Sequence, residues 1–374
     1  MIETKYFDNA ATTFCYPEVL KEVMDNAIAY PANPSATHRE GREAKAKLEE
    51  CRASFASSLN VEPATIYFTS GATESIQIVL ASLLLAKVPG KVIMSAIEHE
   101  AVLSWSSILK EKGWKIITLK AKNGFVDPEE LKANIDSEVR LIAVQLVNNV
   151  IGSIQPIESL VSVTREKERE YNRPIFFFCD SVQGLGKISF SLTDLDVDGA
   201  SFSAHKIKGP RGIGALYLKK PLQVIAKAGG QERGVRGGTE NLPSIAGFTK
   251  ALSLYLAEDK TNIININTKL RAFFKEKNIK VLSPEENCSP YILSLSTKLP
   301  SEVLTRMLSD EGYCVSAGSA CSNNAKGKAE NVIKAMGFSD SIAQGTIRLS
   351  FSVKTSEEEA LKLALLIYLK TKDF

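Results

Sequence analysis

Between about residues 65 and 220, short, nearly unbroken apolar runs alternate with longer stretches in which apolar positions recur at helical spacing. The runs are "TIYFTS", "KVIMSA", "WKIITLK", "RLIAVQLV", "PIFFFCD", "DGASFSA" and "GIGALYLKK". They read as short β-rich runs. The stretches "TESIQIVLASLLLAK", "DPEELKANI" and "IESLVSVTREKEREYN" between them carry helical periodicity with an acid near the start. This alternation predicts an α/β domain with a mostly parallel sheet flanked by crossover helices. The "REKERE" run at 165–170 reads as the solvated face of one such helix, with no function assigned.

From about residue 245 a helical stretch leads into a second region. Here "PYILSLST" and "GTIRLSFS" read as strands and "TSEEEALKLALLIYLK" as a final helix, with Thr355 and Glu358 as its capping box. The expected division is a large domain over 14–250 and a smaller α+β domain from 1–13 and 251–374. The longest apolar run, 78–86, is about half of a bilayer span, so a buried helix is expected and no membrane segment.

Composition narrows the function classes. The chain has 374 residues, 44% hydrophobic and 24% charged, with net charge +3. That is an ordinary globular balance, and the interleaved charges argue against a dedicated nucleic-acid surface. The opening "MIETKYFDNAATT" lacks the basic and apolar regions of a secretory signal, so a cytoplasmic location is expected. Six cysteines without a CxxC pair suit reduced thiols better than a disulfide frame or a zinc site, and no metal is expected.

Chemistry is sought at strand ends, where loops of an open α/β sheet converge on a ligand. After "IYF" stands "TSGATES", a short turn into a helix with Gly71 and Thr73, either a phosphate cradle or an ordinary helix start. His99 follows "KVIMSAI" in a chain with only three histidines. Asp180 ends "PIFFFCD", three residues before Gln183, as a turn cap or as partner to a protonated ring nitrogen. After "GASF" come Ser203, His205 and Lys206, a lysine that burial would turn into a free amine able to attack a carbonyl, unless it is a surface loop residue. Together these match what pyridoxal phosphate needs. The segment "GPRGIG" is no dinucleotide fingerprint, because it departs from GxGxxG and precedes a strand; its glycines read as room for close strand approach.

Six motifs in order along nearly the whole chain then carry a resemblance: "YFDNAATT", "NPSATHREG", "FTSGATES", "EHEAV", "SAHKIKGPRGIGALY" and "SAGSAC". The chain resembles the cysteine desulfurases of the class V aminotransferase group, in the NifS and IscS branch. The resemblance implies aminotransferase fold type I, with Lys206 as the lysine that tethers pyridoxal phosphate, Asp180 at the pyridine nitrogen and Gln183 at the ring hydroxyl. It implies His99 stacked on the ring and moving protons, and Ala72, Thr73, Ser203 and His205 around the phosphate. It further implies a homodimer in which Thr239 reaches the phosphate of the neighbouring subunit. Asn33, Asn149 and Arg348 resemble the residues that hold the L-cysteine substrate, Asn149 standing beside the cofactor as well. Cys321, set among small residues in "SAGSACSNNAKGK", resembles the thiol that takes the substrate sulfur as a persulfide and passes it to an acceptor protein.

The chain departs from the family pattern at Val150, where an acid is usual, at Ala32 for glycine and at Gly237 for serine. The segment after Cys321 also lacks the usual proline and histidine. The expected activity is conversion of L-cysteine to L-alanine with sulfur left on Cys321. The alternatives are a selenocysteine lyase or small-amino-acid aminotransferase of the same fold, and a weakly catalytic scaffold subunit. The acceptor stays open among iron–sulfur assembly, tRNA thiolation and other sulfur transfer.

Overall fold

The computed structural model describes residues 5–225, 229–317 and 328–374, with side chains from 331 onward in the last segment. The seven apolar runs become β1 (Ile66–Thr69), β2 (Lys91–Ser95), β3 (Lys115–Leu119), β4 (Val139–Ala143), β5 (Phe176–Asp180), β6 (Gly199–Ser203) and β7 (Gly214–Leu218). They form one sheet in the order β1-β7-β6-β5-β4-β2-β3. β7 runs antiparallel to both its neighbours, and the remaining pairs are parallel.

Successive strand residues face opposite sides of a sheet, and the packing follows that rule. Phe68, Ile142, Phe177 and Phe202 join one apolar core, whereas their neighbours Tyr67, Leu141, Ala143 and Phe178 join another on the far side. Both faces are therefore dry, which is why these strands read as continuous apolar runs.

A second sheet contains β8 (Lys280–Val281), β9 (Ile292–Ser296), β10 (Ser316–Ala317) and β11 (Thr346–Ser350), in the antiparallel order β10-β11-β9-β8. The N-terminal segment ties it to the large sheet. Phe7 N donates to Cys314 O at 2.8 Å and Ser350 N to Phe7 O at 2.8 Å, while Thr13 N donates to His205 O at 3.0 Å. Residues 7–13 thus run from the β11 edge to the turn after β6.

Several local expectations shift. The apolar run 78–86 is helix only to Ser82, then a tight turn, and Leu85 is exposed. The final helix, Glu357–Thr371, is capped one residue later than expected: Ser356 accepts from Glu359 N, while Thr355 Oγ1 accepts from Ser352 N at 2.9 Å. Arg165 is no solvated charge. It turns inward, bonding Asp198 Oδ2 at 2.8 Å and Asp196 O at 2.7 Å, and so fastens its helix (Ile157–Tyr171) to the entry of β6. No described helix is long and apolar enough to cross a membrane.

Candidate active site

Strands β1, β2, β4, β5 and β6 point their carboxyl ends to one side, and a cavity of about 630 Å³ opens there. Ala72, Thr73, His99, Asn149, Asp180, Gln183, Ser203, His205, Lys206 and Arg348, all singled out from the sequence, line it. Asn33 and Thr239 do not. Asn33 is exposed and folds back so that its Oδ1 accepts from Ser35 N at 2.9 Å, and Thr239 is exposed on the 229–240 loop. That loop is anchored from within: Glu232, buried, pairs with buried Arg52 at 2.7 and 2.8 Å and accepts from Phe68 N of β1 at 2.8 Å. Cys321 lies outside the described residues.

Lys206 follows β6 in a single 3₁₀ turn (Ala204–Lys206). Its Nζ donates to Ala10 O at 2.8 Å and Ala11 O at 2.6 Å. Burial, and then the nearby positive charge of Arg348, lower its pKa to about 8. Gly209 and Gly214 serve close packing as expected, since a Cβ on Gly214 would stand 2.6 Å from Gly71 Cα and 2.5 Å from Phe202 O, whereas Gly212 has open space about it and serves a turn at φ +74°. His205 is held by Thr12, Nδ1 to Oγ1 at 3.1 Å. Burial and the neighbouring Lys206 depress its pKa to about 4, so the ring is neutral at physiological pH.

Asp180 ends β5 nearly buried, its Oδ1 accepting from Ser201 Oγ at 3.1 Å and from Val182 N at 3.1 Å. The turn cap and the buried acid facing the cavity are therefore the same residue. Opposite, the helix Ala72–Ser82 starts from Gly71, which offers no capping side chain, so its first-turn amides face the cavity ready for an anion. His99 caps the next short helix, Nδ1 accepting from Ala101 N at 3.1 Å; the neutral ring therefore carries its proton on Nε2.

Arg348 reaches in from β11. Its Nη2 donates to Asp8 Oδ1 and to Ser316 Oγ, both at 2.8 Å, and its Nη1 to Asn149 O at 2.8 Å. Its Nε is buried with no hydrogen-bond partner among the described residues. Asp8, within the motif "YFDNAATT", is a site residue that the sequence pattern alone does not mark. Gln145 and Arg211 also line the cavity without having been singled out. Val150 does not line it; the side chain is buried in an apolar cluster with Ile97, Ile151 and Leu282, so the missing acid is absent from a core position.

Glu98, directly before His99, is buried beneath the site. Its Oε1 accepts from Gln145 N at 2.9 Å and from Ser95 Oγ, and its Oε2 has no partner among the described residues. Burial raises its pKa from 4.5 to about 8. The folded protein keeps a proton there that the unfolded chain releases. Stability contributed by that proton is complete below the unfolded value and falls as pH rises toward the folded one, by at most about 1.4 kcal/mol per unit. Glu98→Gln removes the titration. The stability of the unmodified protein relative to this variant, from denaturant unfolding, should therefore decline between pH 5 and pH 8, and a flat difference would contradict the assignment.

A desolvated amine, a buried carboxylate and an uncapped helix start converging on one cavity fit pyridoxal phosphate. Among the described residues no group of three or more His, Cys, Asp or Glu is placed to hold a metal ion.

Comparison with known proteins agrees. The aminotransferase class-V family model matches residues 5–363. A NifS/IcsS protein homolog of Lactobacillus delbrueckii subsp. bulgaricus is 37% identical over 95% of this chain and 94% of that protein. The cysteine desulfurase IscS of Dictyoglomus turgidum is 34% identical over 95% of this chain and 91% of its own. The solved structure of a NifS-like protein superposes with a TM-score of 0.90 at 35% identity, over 99% of both chains. A match of this extent, together with a lysine, an acid and an uncapped helix at the strand ends, places the chain in the class-V aminotransferase family.

Proposed function

We propose that this chain is a pyridoxal-phosphate-dependent cysteine desulfurase that converts L-cysteine to L-alanine and collects the sulfur as a persulfide on Cys321. The observation that carries this reading is the Lys206 amine, desolvated and held by two backbone carbonyls in a cavity that also contains Asp180 and Gln183. Such a site suits a carbonyl-linked cofactor, and Cys321 supplies the acceptor thiol.

When bound, pyridoxal phosphate supplies an electron sink for the pair left on the substrate Cα after its proton departs. Lys206 would tether it and, as a free amine, would take and return the substrate Cα proton. Asp180, fixed by Ser201 and Val182, would hold a proton on the ring nitrogen. Gln183 would serve the ring hydroxyl, and the amides of Ala72 and Thr73, with Ser203 and His205, would hold the phosphate. Arg348, which lines the cavity, would hold the substrate carboxylate, with Asn149 beside it. His99 moves a proton at Nε2 between the substrate thiol and Cys321.

The reading extends to a cytoplasmic homodimer. Thr239 lies outside its own chain's cavity on a loop fastened by Glu232 to β1, a position suited to the partner's phosphate. The division into 14–250 and 1–13 plus 251–374 belongs to the same proposal, with Arg348 of the smaller part facing Lys206 of the larger. A sulfur-acceptor protein completes the cycle. Isolated protein loaded with pyridoxal phosphate and given L-cysteine and a thiol reductant should release alanine and sulfide in equal amounts. Cofactor binding without alanine release would favour the scaffold alternative.

A further inference from the structure

The turn after β5 carries a second lysine that the proposed reaction does not use. Lys187 is buried but does not itself line the cavity. Its Nζ donates to Gln183 Oε1 at 2.5 Å and lies 5.9 Å from the centroid of the Tyr291 ring. No carboxylate lies within ion-pair distance among the described residues. A buried amine without a counter-charge is costly, and a methionine would fill the space without that cost. The hydrogen bonds show what the amine achieves: with Oε1 of Gln183 committed to Lys187, the carboxamide has one orientation, and its Nε2 donates to Ala10 O at 2.9 Å. That same carbonyl accepts from Lys206 at 2.8 Å. Nε2 carries a second hydrogen, and Gln183 lines the cavity.

We propose that Lys187 is a positioning residue: it fixes the Gln183 carboxamide so that Nε2 is presented to the ring hydroxyl of the cofactor, and thereby tunes the proton affinity of the lysine-bound cofactor. This rests on the reading of the site given above. The charged and titratable groups facing Lys187 are Lys206, Arg348, His205 and Tyr291. Burial, then Lys206 and Arg348, push its own pKa well below the usual lysine range.

The test uses full-length holoenzyme of Lys187→Met, Gln183→Leu and the double variant, titrating the absorbance of the lysine-bound cofactor against pH without substrate. A lost donor to the ring oxygen makes the shared proton harder to remove. Each single variant should raise the midpoint by about one unit, and the double variant should move no further than either alone. Lys187→Leu carries the same expectation should the methionine variant not fold. A coloured, folded Lys187→Met protein with an unmoved midpoint, or a double variant in which the shifts add, overturns this proposal alone. Unmodified protein that takes up no cofactor overturns the underlying reading and the proposal with it.

Discussion

Replacing Lys206 by alanine should abolish covalent retention of the cofactor and lower alanine formation by about 10⁴-fold, the upper range for loss of a positioned proton-transfer group. No other amine takes its place. Lys187 is the nearest alternative in the fold, but its Nζ is committed to Gln183 behind the cavity wall. His205 is held neutral by burial and by Lys206 itself, and Arg348 is spent on Asp8, Ser316 and Asn149. The check is borohydride treatment followed by peptide mapping, alongside alanine release from cysteine. The unmodified protein should carry reduced cofactor on the Lys206 peptide and the variant on none; a variant still labelled, or active within tenfold, would show that another residue holds the cofactor.

Cys321→Ala should separate cofactor binding from sulfur transfer. The cofactor and its absorbance should survive, because no residue placed around it is altered, while alanine formation from cysteine falls at least about 10³-fold. The described cysteines are Cys15, Cys51, Cys179, Cys288 and Cys314, and none of them lines the cavity. Burial pushes the Cys51 and Cys288 thiols up to about 11 and raises those of Cys15 and Cys179 as well, so these are poor thiolates. Alanine formation that persists in Cys321→Ala would favour the selenocysteine lyase or aminotransferase alternative.

The parts of this site legible in the sequence are those set by local pattern. Strands buried on both faces announce themselves as apolar runs, and the residues that end them fall together because parallel strands share an end. Thr73, His99, Asp180 and Lys206 follow from that pattern. Contacts made across long separations were not legible. The Asp8–Arg348 pair joins residues 340 positions apart through the course of the 7–13 segment beside β11, which no periodicity reports. Direction within a turn was equally hidden: Val150 looked like a site position and faces a core, and nothing in the pattern around Lys187 marks it as buried behind Gln183. Arg165 was misread for the same reason, since a charge run on a helix does not tell which member turns inward to meet Asp198. The cap at Ser356 in place of Thr355 reflects two adjacent hydroxyls competing for one role, decided by the bond that Thr355 makes to Ser352.

The central claim is that sulfur leaves cysteine inside the Lys206 cavity and is carried away on a thiol from another part of the chain. Mass analysis of peptides from holoenzyme incubated with L-cysteine, with no reductant present, tests it most directly. The account predicts one added sulfur atom on the peptide holding Cys321, absent when Lys206 is alanine. Alanine released with that peptide unmodified, or sulfur found on another cysteine, would contradict it.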